Sequence, residues 1–288
     1  MNQDRLGCWR TGDSLLMVVA DGLGGHVHGE IAAQVAVQCF GAAFQREAQP
    51  LLPAPEQFLP RTMNAAHAQI LHEAQRLQLS DTPRTVIVAC VVQDGYAWWT
   101  HVGDCRLYLM RRGSILTRTR DHSVVQQLLD AGRIREEAIT THPDRNRLLQ
   151  CLGSLQAPKP EATGRARLKR NDLLLLCSDG LWGPLTQRQL LHALATRELA
   201  QAIPDLVELA ETRAGPQCDN VSVLAMAWEE DEVRFPDEPP TVPVEDLPTD
   251  VQDFTATDPD FLRMSDEDIE KAIADIKAAL RKMPPTQQ

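Results

Sequence analysis

No excess of basic residues marks this chain. Lysine and arginine number 29 against 40 aspartates and glutamates, a formal charge of −11, whereas a nucleic-acid-binding protein presents a basic face. No two cysteines have C-x-x-C spacing, and their total of seven is odd, so neither a disulfide framework nor a zinc site is indicated. Cys39, Cys90 and Cys177 lie instead in apolar runs, as small core residues do in a reducing compartment. No apolar stretch approaches the roughly 20 residues of a membrane span. Met1-Asn2-Gln3-Asp4-Arg5 lacks the apolar segment of a signal peptide. No G-x-x-x-x-G-K-[ST] loop occurs, which removes P-loop nucleotide hydrolysis. Together these absences predict a soluble cytoplasmic protein that binds neither nucleic acid nor membrane.

What is present suffices for one large domain plus an extension, with 43% of 288 residues apolar. The acid excess is local. Residues 229–260 hold twelve acids and a single arginine, which is the whole of the −11, together with six prolines. Such a stretch buries too little apolar surface to offset its ordering entropy, so a linker is expected over 229–264 and a domain boundary near Trp228. Ser265-Asp266-Glu267-Asp268 then has the form of a helix start. Ile269, Ile273, Ile276, Leu280 and Met283 make one stripe, and Pro284 begins a tail over 284–288. The helix over 265–283 needs its stripe covered. It either folds back on its own domain, contacts a partner or second copy, or frays.

Within residues 1–228, apolar runs predict strands at Leu15–Ala20, Thr85–Val92, Tyr96–Val102, Cys105–Met110, Ile115–Thr117, Leu173–Cys177 and Val221–Trp228. Helical periodicity covers Glu30–Phe44, Glu56–Leu79, His122–Ala131, Gln187–Ala195 and Leu199–Thr212. The four strands from Thr85 to Thr117, with tight turns between them, predict one antiparallel meander. Helices falling in pairs between runs of strands favour α+β layers over a parallel sheet.

Aspartates interrupt these apolar strands. Asp21 ends the first run, Asp179 ends Leu173–Ser178, Asp219-Asn220 opens the last strand, and Asp104 sits between two strands. One such residue is ordinarily a turn former. If several converge, a like-charge pair at about 4 Å costs roughly 4 kcal/mol at an effective dielectric near 20. Protons or cations must compensate, and an oxygen-only donor set suits Mg²⁺ or Mn²⁺.

Six ordered blocks carry a family resemblance: Asn2-Gln3-Asp4, Val18 to His26, Val102-Gly103-Asp104-Cys105-Arg106, Thr119 to Ser123, Cys177-Ser178-Asp179-Gly180-Leu181, and Asp219-Asn220-Val221-Ser222. From Asn2 to about Trp228 the chain resembles the metal-dependent type 2C serine/threonine protein phosphatases in their bacterial single-domain form. The resemblance implies an α-β-β-α four-layer sandwich of two mostly antiparallel sheets with helices outside. It also implies hydrolysis of phosphoserine and phosphothreonine on proteins. Asp4, Asp21, Asp179 and Asp219 would be the catalytic residues. Asp21 would bridge two Mg²⁺ or Mn²⁺ ions, the Gly22 carbonyl would bind one, and Asp179 and Asp219 the other. Asp4 would hold water, and Asp104 would help bind a labile third ion. Phosphorylated substrates of Ser/Thr kinases, including those controlling type VI secretion, would be the partners.

Three departures stand against the pattern. The family places a strand with a phosphate-binding arginine before the Asn-Gln-Asp block, where this sequence has only Met1. A misplaced start or a truncation is expected, and Arg5 lies nearby. Leu23 occupies the place of a histidine acid in eukaryotic members, leaving water or His122 to protonate the leaving oxygen, with His26 as a structural hydrogen-bonder. Thr82-Pro83-Arg84-Thr85 replaces a glycine-threonine-threonine sequence ahead of a strand, a matter of packing. Cys105-x5-Arg111 formally matches the cysteine-phosphatase signature, but the residues between alternate like a strand. The rival reading is a phosphatase-like scaffold that binds phosphorylated partners with little turnover. In the linker, Thr241, Thr249, Thr255 and Thr257 stand beside acids as candidate kinase sites, and the acids would compete with phosphoproteins for the cleft.

Overall fold

The structure, a computed structural model, describes residues 2–24, 28–159 and 163–230. The chain divides into two compact units, Met1–Val233 and Arg234–Gln288, and the described residues all belong to the first. The expected helix over 265–283, the tail, nearly all of the linker, and His26 lie outside them.

Among the described residues, nine strands form two antiparallel sheets. The first contains β1 (Arg5–Arg10), β2 (Ser14–Gly22), β3 (Thr85–Gln93), β4 (Tyr96–Val102) and β7 (Gly164–Arg167), in the order β1-β2-β3-β4-β7. The second contains β5 (Arg106–Arg111), β6 (Ser114–Arg118), β8 (Leu173–Cys177) and β9 (Val223–Ala227), in the order β6-β5-β8-β9. Because side chains alternate across a strand, β2 and β3 supply two cores at once. Leu16, Val18 and Ala20 pack with Ile87, Ala89 and Val91 under α1 (Gly29–Glu47) and α2 (Pro55–Arg76). Met17, Val19, Val86 and Val88 face Leu107, Leu109, Leu174 and Leu176 of the other sheet. Outside the second sheet, Tyr108, Leu175 and Cys177 pack against α5 (Gln187–Thr196) and α6 (Leu199–Ala214). Helix, sheet, sheet, helix is the expected layering. Both faces of the central strands are covered, so these strands read as unbroken apolar runs.

The meander expected from Thr85 to Thr117 does not form as one piece. β3 pairs with β4 in the first sheet, and β5 pairs with β6 in the second. The chain changes sheets at Gly103-Asp104. Gly103 has φ 98°, and a Cβ there would lie 2.0 Å from Val86 Cγ1. Only glycine lets the strand leave its sheet so close to a neighbour. A short helix, α3 (Val124–Asp130), follows, capped by the Ser123 hydroxyl, which accepts from the Gln126 N–H. β1, β7 and the single-turn α4 (Asp179–Trp182) carry no signal strong enough to be expected.

All seven cysteines are free, and Cys90 and Cys177 are fully buried. Among the described residues no helix is long and apolar enough to cross a membrane.

Candidate metal centre

Antiparallel register gathers the aspartates at one edge of the sandwich. Arg5 at the start of β1 faces Ala20 near the end of β2. Arg106 at the start of β5 faces Cys177 at the end of β8, which in turn faces Val223 at the start of β9. Asp4, Asp21, Asp104, Asp179 and Asp219 flank these ends. Asp4 and Asp104 are buried, Asp21 and Asp179 half-buried, and Asp219 is exposed at the mouth.

Hydrogen bonds tie the two sheets together here. The Ser178 hydroxyl donates to Asp4 Oδ2 at 2.8 Å, and the Ser222 N–H donates to Ser178 Oγ at 3.0 Å. The Gln3 N–H donates to Asn220 Oδ1 at 2.7 Å. The Thr85 hydroxyl donates to the Asp21 carbonyl at 2.6 Å, so Thr85 braces the site rather than serving packing alone. A Cβ on Gly22 would fall 2.4 Å from the Gly29 carbonyl carbon and 2.9 Å from the Gln3 carbonyl oxygen. Glycine is therefore the residue that lets α1 start against the end of β2, with the Gly22 carbonyl unobstructed by a side chain.

The carboxylates repel one another. Burial, then Asp179, Asp4, Asp104 and Asp219 in that order, push Asp21 well above the usual carboxylate range. Burial and Asp219 raise Asp179 to about 6. Burial raises Asp104, with Asp179 adding to the effect. Burial also raises Asp4, against the lowering hydrogen bonds from Ser178 and Ser222. Asp4 Oδ1 and Asp179 Oδ1 are buried without any hydrogen-bond partner. An unpaired anionic oxygen out of reach of water is costly, and a divalent cation is the partner whose chemistry fits. Among the described residues no three carboxylate, thiol or imidazole groups close on a single ion by themselves. Ions held here would complete their shells with backbone carbonyls and water, as hard cations do.

Behind the acids runs a second network that sequence reading missed. Asp104 is followed by Arg106, whose guanidinium forms a bidentate pair with Asp121 at 2.9 and 2.7 Å. Its carbon lies 3.4 Å from the ring centre of Trp182, and the Trp182 indole N–H donates to the Asp104 carbonyl at 3.0 Å. Trp182 closes α4, the turn that Asp179 begins. One indole thus links the backbone at two of the aspartates. Asp104, Arg106 and Asp121 sit inside the motif blocks and Trp182 directly follows one, but their contacts exist only once β5, β6 and β8 are brought together in the second sheet.

Other sequence candidates fall elsewhere. Arg5 donates to Gln34 Oε1 and to the carbonyls of Asn2 and Asp4, which turns it toward α1. His122 Nδ1 accepts from the Gly103 N–H at 3.2 Å, and its ring stacks on His101 with centroids 4.6 Å apart. Burial and His101 lower it to about 4, so at neutral pH it carries no proton to give from a cationic form. Cys105 is fully buried, and Arg111 is held by Asp172 at 2.8 and 2.7 Å; the cysteine-phosphatase reading is excluded.

A cavity of about 230 Å³ opens beside Asp179 and Asp219. A larger one of about 690 Å³ has Arg106, Tyr108 and Ile139 in its lining and none of the five aspartates.

A row of aspartates along the common edge of two packed antiparallel sheets offers oxygen donors of the kind that hard divalent cations take. Residues 1–213 match the family model described as protein phosphatase 2C, and the chain belongs to that family. The serine/threonine protein phosphatase PstP of Mycobacterium tuberculosis is 34% identical over 209 residues, 73% of this chain and 39% of that protein, so this chain spans about two-fifths of its length. The serine/threonine phosphatase stp of Listeria welshimeri is 31% identical over 227 residues, 77% of this chain and 88% of that one. The solved catalytic domain of PstP in complex with two manganese ions aligns with a TM-score of 0.66 at 28% identity, covering 78% of this chain and 90% of that one.

Proposed function

We propose that the chain hydrolyses phosphoserine and phosphothreonine monoesters on proteins, with two Mg²⁺ or Mn²⁺ ions as cofactors. The observation that carries this reading is the pair of orphaned buried oxygens, Asp4 Oδ1 and Asp179 Oδ1, within a cluster of mutually repelling aspartates. Two bound ions would lower the pKa of water toward neutrality and offset negative charge on the phosphoryl oxygens.

The chain's own groups do the rest. Asp21, reached by the field of every other aspartate in the cluster, would hold both ions, the Gly22 carbonyl would help to hold one, and Asp179 and Asp219 would help to hold the other. Asp4, fixed by Ser178 at 2.8 Å, presents its free Oδ1 to orient the attacking water. Asp104, set by Trp182, would contribute to a third and weaker ion site. Attack is in line on phosphorus without a phosphoenzyme. The leaving oxygen takes its proton from water, because His122 is neutral and its Nδ1 is occupied by Gly103. Residues 1–228 would form the catalytic unit.

The purified chain is expected to release phosphate from para-nitrophenyl phosphate and from phosphothreonine peptides in millimolar Mn²⁺, and to lose that activity reversibly in chelator. A folded protein without turnover under those conditions would favour the scaffold that binds phosphorylated partners.

A further inference from the structure

Arg84 is a cation that the fold leaves almost without a partner. It directly precedes β3, and its carbonyl accepts from the Leu23 N–H at 2.9 Å. The ladder in which Asp21 faces Val86 and Gly22 faces Thr85 therefore continues one step, with Arg84 opposite Leu23. Side chains alternate along a strand. Val86 and Val88 face the core between the sheets, so Arg84 extends that same row, on the face that Asp21 and Leu23 share. Leu23 packs against the inter-sheet core, and Cys151 belongs to it. Burial raises the Cys151 thiol, and the Arg84 charge acts on it in the opposite sense, as a neighbour on that face would.

The backbone at Arg84 is fixed from two sides. Leu23 holds it to β2. On the other side, the Thr85 N–H donates to the Leu152 carbonyl at 3.2 Å, and the Leu152 N–H donates to the Thr85 carbonyl at 2.8 Å. Gly153, with φ 81°, passes so close that a Cβ there would lie 2.1 Å from the Pro83 carbonyl oxygen. A side chain based on so rigid a segment can act as a precise contact.

The guanidinium itself is poorly served. Its Nε is buried and has no hydrogen-bond partner. The carboxylate paired with it is that of Asp81, three residues back, at 4.0 Å and 46% exposed, a geometry worth little. The Arg84 side chain is 31% exposed, so a ligand can reach its tip. A buried N–H left unmet is costly, and an oxyanion is the group that a guanidinium fork matches. The position separates this anion from the phosphoryl group. Val86, not Arg84, stands opposite Asp21. Arg84 lies two residues further along the strand, about 7 Å away, which is the span of two residues of extended peptide.

We infer that Arg84 is a specificity-determining group that binds a carboxylate of the substrate close to the phosphorylated residue, so that acidic phosphopeptides are preferred. This inference rests on the phosphatase reading of the neighbouring aspartates.

The test compares two phosphothreonine peptides that differ only in having glutamate or glutamine in the two positions on either side of the phosphothreonine. The quantity read is the ratio of their kcat/KM values in Mn²⁺, for the full chain and for Arg84→Ala, Arg84→Lys and Arg84→Glu. Wild type is expected to favour the glutamate peptide about tenfold, the size of one charge-assisted hydrogen bond. The ratio should fall to about one in Arg84→Ala, survive in part in Arg84→Lys, and drop below one in Arg84→Glu. A wild type without preference would overturn the assignment. So would an equal fall on both peptides in Arg84→Ala, which leaves the ratio as in wild type and places the effect in the fold or in the hold on the phosphoryl group. Absence of turnover in wild type would strike the phosphatase reading instead. The ratio of peptide Kd values, by fluorescence anisotropy in Mn²⁺, would then decide the role of Arg84 by the same criterion.

Discussion

Replacing Asp179 by Asn is expected to cut hydrolysis by about a thousandfold or more, the scale of several kcal/mol of lost metal-ion stabilisation, while leaving the fold intact. The side chain opens α4 directly after β8, its Oδ1 has no partner, and burial and Asp219 hold it at about 6. In the metal-free protein it is therefore a liability. Its folded value lies above the ordinary 3.8, so the folded state holds this proton more tightly than the unfolded chain does. Its stabilising contribution is complete below about pH 4 and is lost as pH rises through about 6, some 3 kcal/mol for a shift of about two units. Asparagine carries no such proton. Urea midpoints in chelator should consequently fall between pH 4 and pH 8 more steeply for wild type than for Asp179→Asn, and the variant should be the more stable at pH 8. Manganese should stabilise wild type far more than the variant. Unchanged turnover in Asp179→Asn would mean that the aspartates at this edge do not hold the catalytic ions.

The second large effect is on stability. Asp121→Ala should cost about 3–5 kcal/mol, because it strands the Arg106 guanidinium without its carboxylate. The two side chains are 2% and 6% exposed, so water cannot replace the lost partner. The double variant Arg106→Met with Asp121→Leu should recover most of that loss, since well-packed apolar groups often match a buried ion pair in stability. It should nonetheless bind divalent ions less tightly, because the Trp182 indole that fixes the Asp104 carbonyl would lose the guanidinium stacked on it at 3.4 Å. Denaturant melts of the three proteins, with Mn²⁺ titrations, check both halves. A double variant that stays as unstable as Asp121→Ala would place the cost in packing instead of charge.

Legibility in the sequence followed how local each signal was. β2, β3 and β8 were readable because burial on both faces leaves runs such as Leu173–Cys177 wholly apolar. β1 and β7 were not: Arg5–Arg10 and Gly164–Arg167 carry charged or glycine positions, and as edge strands each pairs with one neighbour only. The broken meander is instructive. Asp94-Gly95 and Arg112-Gly113 take positive φ at both residues (50° and 70°, 51° and 72°), the geometry that closes a two-residue hairpin. At Gly103-Asp104 only the glycine does so. In sequence the three turns look alike, and the contact with Val86 that distinguishes the third is tertiary. The aspartates themselves stood out at strand ends, and the family resemblance supplied their grouping. The Ser178–Asp4 bond and the Trp182–Asp104 bond join residues 174 and 78 positions apart, which no local pattern encodes.

The most direct test is anomalous scattering from crystals of the chain grown in Mn²⁺. Two peaks about 3.5–4 Å apart, flanking the Asp21 carboxylate with Asp179 and Asp219 beside one of them, are the predicted result. Manganese bound elsewhere, with these three side chains left vacant at millimolar metal, would contradict the account.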